Sequence, residues 1–531
     1  MDDSKYKNKS AGELDGVQRL EEDLVRVLSV RIQGMAKAAA KRRERGRPVV
    51  EPGMEKKLWK AWQAAAEEHG LDARSLRRVF AMLNDMAYAK AQGAPVWKSS
   101  ALDLSVERTP EFIDVSGPAD TRLTRLLLTA AAASKGSARF PGAVMNDPLY
   151  EMVQALAQAG ADIERGEDGV SVQKGGLGFS ERTVFAGTDE LNLYLLAALM
   201  APHAGRYTIS GAGAAKAADF SPLMDGFSRM GVRVTSIEPK SKSLPVRVET
   251  PGIEKAEIRL PAGFPADAAL AMAAAGPAFP EGMNIVWEPD WTGTGFIEES
   301  RAVFRILGVA AEEGDTFLKI PAGYRISGEY EPPLDPVLTA HLLALAKTTG
   351  RRVRVGGQWP ETADAAAAAA MLESAGLSVK VAQEAVTAEP AGEKAKEIDA
   401  AALPQCMALA VALALVDGAR IRPPENYDRL AAEDLANAFG REFRESDGLA
   451  EVGGEIRPDV DTYLAPTAMH ALAALIASPS RSGVRLVNPG VLSEIWPGVV
   501  QIYKTLFRAP GAGPKERKED GRATKGRRIK L

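Results

Sequence analysis

The sequence predicts an α/β protein in which alanine- and leucine-rich helices are enclosed by sheets, preceded by an all-α region. Three observations carry this. A helix, a closing glycine and a strand recur around Gly160, Gly231, Gly308, Gly376 and Gly440, roughly seventy residues apart. Glycine is the natural residue for the left-handed turn that ends a helix, so one copy means little and five in register mean architecture. Between the copies lie apolar helices such as MALAVALALV, which carry no polar side chain and belong inside, reversing the usual layering of an α/β sandwich. Residues 10 to 92 show helical periodicity only. The clearest copy of the repeat is Asn426 to Gly440, where Leu430, Leu435 and Phe439 are the apolar positions of one helix.

The totals narrow the class of function. At 531 residues the chain should hold about three domains. A net charge of −4 implies no bulk attraction to nucleic acid or to an anionic membrane. The single cysteine, Cys406, rules out an internal disulfide framework, and its flanks LPQCMALAVALALV read as a buried helix, which gives it a structural role. The polar start MDDSKYKNKSAGELDG has no signal-peptide core, and no apolar run is long enough to cross a bilayer, so a cytoplasmic location is expected. None of His69, His203, His341 and His470 sits at metal-ligand spacing, and neither a metal nor a cofactor is expected.

Within the all-α region, Leu20, Leu24, Val27, Leu28 and Ile32 form one apolar stripe of a long helix that runs into KAAAKRRERGR. A turn at GRPVVEPG precedes a second helix through KKLWKAWQAAAEEHG, and Leu71-Asp72 starts a third with Leu76, Val79, Phe80 and Leu83. Three such helices make a small bundle, or half of a dimeric one. The GRPV turn, the acid after it, the HGLD junction and the helix spacing resemble the all-helical chorismate mutase family. That resemblance implies a small-anion pocket with Arg31 and Arg42 as cationic ligands, Glu51 as an acid, and Glu55 on the following turn. Leu14 and Met54 stand where the family has arginines, and Ala87 and Ala91 where it has a serine and a glutamine. The region reads as an inherited helical module kept for dimerisation or docking, with surviving mutase activity as the alternative.

Residues 93 to 112 combine glycine, proline and serine with a short extended run, a linker plus first strand. From Ile113 to about Phe507 the repeats take over. The blocks GFPADAALAMAAAGPAFPEG, LDPVLTAHLLALAKTTGRRVRV, NYDRLAAEDLANAFG and NPGVLSEIWPGVVQIYKTL resemble the enolpyruvyl transferase family, most of all the synthases that join phosphoenolpyruvate to shikimate 3-phosphate. The resemblance implies a two-lobed, inside-out α/β barrel of six repeated units, with ligands between the lobes. It places the domains at 1–97, 98–112 and 113–507, the lobes at about 118–326 and 327–507, and the crossings near Ile326 to Pro333 and before Gly117. The basic, glycine-rich stretch 508–531 should be disordered, and it lacks the interleaved aromatics of a nucleic-acid binder. Arg351, Arg352 and Arg354 lie on a strand and are expected to face water.

Carboxyvinyl transfer requires cations around phosphates and carboxylates, a base for the attacking hydroxyl and an acid for the methylene carbon. By resemblance, Asp428 and Arg429 match an Asp-Arg pair whose arginine contacts the phosphoenolpyruvate carboxylate. Arg125 (or Arg122) and Lys216 are the remaining cations near anion positions, and His470 lies near the position of a family histidine. Elsewhere the family pattern breaks: Ala119 followed by Asp120 replaces a lysine, Ala214 and Ala218 replace arginines, and Pro265, Ala266 and Asp267 replace a serine, serine, glutamine cradle. Phe296 replaces a tyrosine, Gln405 the aspartate base, Asn426 a glutamate, Pro466-Thr467 a histidine-arginine pair and Glu494 a lysine. The expected ligands are phosphoenolpyruvate and shikimate 3-phosphate, the expected substrate-binding set is Asp428, Arg429, Arg125 and Lys216, and no residue is assigned to catalysis. The chain reads as a diverged carboxyvinyl transferase of aromatic amino-acid biosynthesis. The alternatives are a scaffold or regulator that has lost catalysis, and an enzyme of the same fold with a less anionic substrate.

Overall fold

The computed structural model describes residues 4–44, 52–70, 80, 83, 87 and 101–508, apart from short breaks at 167–168, 180–182, 213–214, 216–217, 239–240, 255, 292, 294, 324, 393, 456–461 and 482. The chain divides into two compact units, Met1–Ser100 and Ala101–Leu531. The basic tail beyond Arg508 lies outside the described residues.

Unit 1 contains helices α1 (Ser4–Glu44) and α2 (Pro52–Glu68). Its described core is Met35, Ala36 and Ala39 of α1 against Ala87, and Phe80 packs its ring against Trp59 and Trp62. Most of the expected third helix lies outside the described residues, although Phe80, Leu83 and Ala87 are helical and buried. Among the described residues, Leu20, Leu24 and Val27 of the stripe read from the sequence are exposed, as are Val25 and Val30 beside it, whereas Leu28 is half-buried and Ile32 packs against the cluster of Met35, Ala36 and Ala39.

Unit 2 has two hydrophobic cores, here called lobes. One runs from Leu123 to Ile326; the other takes Leu104, Ile113 and Leu334 to Phe507. The helices are α3 (Thr121–Ala133), α4 (Asp147–Gln158), α5 (Glu190–Met200), α6 (Ser221–Arg229), α7 (Ala266–Ala274) and α8 (Phe296–Leu307) in lobe 1. Lobe 2 holds α9 (Pro336–Thr349), α10 (Ala363–Ser374), α11 (Met407–Asp417), α12 (Arg429–Ala438), α13 (Ala468–Ala477) and α14 (Val499–Phe507). Three helices of each lobe, α3, α5 and α7 or α9, α11 and α13, are almost wholly buried; Leu191 to Met200 and Met407 to Leu415 are buried without a break. Alanine and leucine let these helices approach closely without stranding a polar group. The other helices are amphipathic and outer.

Six sheets among the described residues enclose these helices, three per lobe, five of four strands and one of three. Each four-stranded sheet repeats one pattern: a parallel pair, then two antiparallel neighbours, as in 256–260, 283–287, 317–320 and 312–314. Side-chain caps start many of the helices, with Asp120, Asn146, Asp189, Asp335, Thr362, Asp428 and Thr467 each accepting a backbone N–H. The recurring glycines end them. Gly308, at φ 66°, is the left-handed cap of α8, and Gly160, Gly231, Gly376 and Gly440 also have positive φ.

One apolar position differs from the sequence reading. In α12, Leu435 and Phe439 are buried, but Leu430 is 72% exposed. Five residues at about 100° each put it roughly 140° around the helix from Leu435.

Candidate functional site

The chain passes between the lobes twice, and both passages meet. Strand 112–116 pairs with 352–356 of lobe 2, after which the chain enters α3 of lobe 1. Strand 328–329 pairs with 138–139 of lobe 1, after which the chain enters α9 of lobe 2. Where they cross, Ala119 and Leu334 form an isolated antiparallel bridge, with Asp120 N donating to Pro333 O at 2.8 Å and Asp335 N to Pro118 O at 2.9 Å. A side chain on Gly117 would run into Leu334 and Val355, so this crossing needs glycine.

Asp120 and Asp335 cap the two helices that leave the crossing, accepting from Leu123 N at 2.9 Å and Leu338 N at 2.8 Å. Burial, then the charge of Asp120, pushes the Asp335 carboxyl up to about 7, and Asp364 adds to the rise. Asp120 is raised too, by burial and then by Glu299.

Beside the crossing, the first turns of α3, α7 and α8 converge on Arg122. Its Nε donates to Glu299 Oε2 at 2.7 Å, and its Nη2 to Asp267 Oδ1 at 2.6 Å and Glu299 Oε1 at 3.3 Å. Burial works against this charge, but the two carboxylates outweigh it and hold the guanidinium more firmly protonated than usual. Arg125, one turn further along α3, is 8% exposed and donates from Nη1 to Asp189 Oδ1 at 2.7 Å and Asn192 Oδ1 at 3.0 Å, both at the start of α5. Glu190 stands next to them with its carboxyl raised by burial, then by Asp189 and Asp267. Helix N-termini attract anions; here Asp120, Asp189, Glu190, Asp267 and Glu299 fill that role and outnumber Arg122 and Arg125.

In lobe 2, Asp428 caps α12 through Ala431 N at 3.0 Å, so its carboxylate is engaged by its own helix. Arg429 is exposed, with Nε 3.4 Å from Glu445 Oε2, and Glu445 also accepts from Tyr427. His470 lies on α13 with Nδ1 2.8 Å from Thr467 Oγ1, and burial lowers its pKa. Gln405 is exposed in the turn before α11. Glu494 is raised by burial and by Asp147 of lobe 1, and its neighbour Ser493 bonds Asp147 across the lobes at 2.8 Å. Phe296 is buried edge-on to Trp287 and Trp291. Cys406 is fully buried and pushed up to about 12, by burial first, which leaves the thiol inert.

Among the sequence-derived site residues, Lys216 and Glu51 lie outside the described residues, and Glu55 is described only by its place in α2. Arg31 lies over the rings of Trp62 and Phe80, at 5.3 and 5.1 Å, and Arg42 is half-buried further along α1. Arg352 rests over Phe112, Arg354 pairs with Asp114 at 2.9 Å, and Arg351 is exposed. Four residues were missed by sequence reasoning: Asp335, Asp189, Glu299 and Glu445. Asp335 had a local signal, since Asp before Pro-Val-Leu is a helix start. Glu299 had none, because Arg122 is 177 residues away, and Glu445 had none, because it meets Tyr427 and Arg429 only once strand 441–446 folds back beside α12.

Residues 113–443 match the family model described as EPSP synthase (3-phosphoshikimate 1-carboxyvinyltransferase), and residues 15–92 match chorismate mutase type II. The 3-phosphoshikimate 1-carboxyvinyltransferase of Photobacterium profundum is 24% identical over 358 residues, covering 65% of this chain and 79% of its own. That of Photobacterium damsela subsp. piscicida is 23% identical over 425 residues, covering 74% and 97%. In structure, EPSP synthase from Acinetobacter baumannii superposes with a TM-score of 0.61 at 15% identity over 77% of this chain and 98% of its own. The enolpyruvyl transferase NikO from Streptomyces tendae gives 0.58 at 18% identity over 76% and 96%. At these identities the structural likeness speaks for the fold.

Proposed function

The chain belongs to the EPSP synthase family, and from that premise we propose that it is a diverged carboxyvinyl transferase of the shikimate pathway. Phosphoenolpyruvate is the donor and shikimate 3-phosphate or a close relative the acceptor. The observation that carries the reading is the extent of the family match, which takes in lobe 1, both crossings and lobe 2 as far as α12. Arg429, exposed at the start of α12, is the cation for the donor carboxylate, and its exposed pair with Glu445 contributes only about 0–1 kcal/mol, little enough for a ligand to displace. Asp428 positions that arginine by capping the helix. The lobes, at about 118–326 and 327–507, hold the substrates between them and exclude water when they approach. No described helix is long and apolar enough to cross a membrane, and we place the reaction in the cytoplasm. The test is phosphate release by the purified chain from phosphoenolpyruvate with shikimate 3-phosphate and, in turn, with shikimate. Release lost in Arg429→Ala supports the reading, and none with either acceptor at high enzyme concentration overturns it.

A second reading, a scaffold or regulator without turnover, is favoured by one observation. Arg122, Arg125 and Arg429 each already face a carboxylate of this chain. It predicts no retention of phosphoenolpyruvate in calorimetry.

The helical unit, residues 1–97, is proposed as a dimerisation module joined by the linker 98–112. The exposed Leu20, Leu24, Val25, Val27 and Val30 of α1 support it, because a second copy would cover them.

A further inference from the structure

We propose that Asp267 and Glu299 are specificity-determining residues of lobe 1: as fixed counter-anions of Arg122 they disfavour a phosphorylated acceptor and favour a hydroxylated ring acid that carries no phosphate. The inference names the substrate class of the transferase read above and rests on that reading for the location of the ligand.

Three helix starts meet here, with Arg122 in the first turn of α3, Asp267 in that of α7 and Glu299 in that of α8. Such a place draws an anion, and two of this chain's own carboxylates supply it. Glu299 takes Nε–H and shares Nη2 with Asp267, so the bonds run along one edge of the guanidinium. Both acids stand in the first turn of their helices, which holds them in place without a ligand. An incoming phosphate dianion would have to part Arg122 from both and then lie beside Asp267, Glu299 and Asp120. Arg125, one turn along α3, offers no relief, since it is buried and held by Asp189 and Asn192. A hydroxyl group meets no such opposition and can bond either carboxylate as a donor.

The experiment is titration calorimetry of the full chain with shikimate and with shikimate 3-phosphate, on the wild type and on the double variant Asp267→Asn, Glu299→Gln. The wild type should bind shikimate at least as tightly as its 3-phosphate. The double variant, which frees Arg122, should gain tenfold or more for the 3-phosphate with little change for shikimate. If the double variant fails to fold, Glu299→Gln alone carries the same prediction at about threefold. A wild type that prefers the 3-phosphate tenfold overturns the inference, as does a folded variant with no gain for it. Phosphate release separates this outcome from the transferase reading: absent turnover with either acceptor, together with the predicted binding preference, overturns that reading and leaves the inference standing.

Discussion

Asp120 and Asp335 lie on the same face of the inter-lobe crossing, diagonal to each other across the Ala119–Leu334 bridge. Asp120 N reaches Pro333, two residues before Asp335, and a diagonal pair of this kind sits about 7 Å apart. Each carboxyl caps the helix leading into one lobe, so the joint of the molecule holds two carboxyl groups whose ionisation is opposed by burial.

This pair sets a dependence on pH. Both carboxyls are raised, mainly by burial, Asp335 to about 7. The folded chain therefore holds protons that the unfolded chain releases from about pH 4 upward, so stability falls as pH rises, and the part due to Asp335 levels off above about 7. Asparagine caps a helix as well as aspartate but does not titrate. Thermal unfolding at about pH 5 and about pH 8 should show a smaller drop in Tm for Asp335→Asn than for the wild type. Equal drops would refute the account of the joint.

The two arginine pairs should separate by burial. Removing one partner of a buried pair costs about 3–5 kcal/mol, because a charge is left without compensation. Arg125→Ala should reach the lower end of that range in urea unfolding, since Arg125 is buried while Asp189 is partly exposed and keeps its bond from Leu191 N. Arg429→Ala, on an exposed pair, should stay within about 1 kcal/mol.

Two leucines separate core from surface in the same way. Leu409 on α11 is fully buried, and Leu409→Ala should cost about 2–5 kcal/mol. Leu430→Ala should change stability by no more than about 0.5 kcal/mol.

The exposed stripe on α1 makes a prediction about assembly. Leu24→Glu with Val27→Glu should convert a dimer to a monomer in light scattering at unchanged secondary structure, and deletion of residues 1–97 should do so with the loss of α1 and α2. A mass that stays dimeric would exclude the helical unit as the dimer contact.

The parts of this fold legible in the sequence are those with local signals. Gly308 marks its turn by itself, MALAVALALV declares a buried helix, and the Asp-Pro start of α9 reads as a cap. Leu430 misled because an apolar residue near a stripe need not lie on it. The α1 stripe was legible as apolar, but the exposure of Leu20, Leu24 and Val27 was not, since periodicity does not say what packs on a helix face. The site was least legible. Arg122 meets Asp267 and Glu299 across 145 and 177 residues, and no periodicity links them. A cation in the sequence shows a charge, and only the fold shows that the charge is already answered.

The most direct measurement is proton NMR of the purified chain incubated with phosphoenolpyruvate and, in turn, shikimate 3-phosphate and shikimate. Carboxyvinyl transfer gives new enol-ether methylene signals that grow with time and vanish in Arg429→Ala. Phosphoenolpyruvate that stays intact with both acceptors at high enzyme concentration would contradict it.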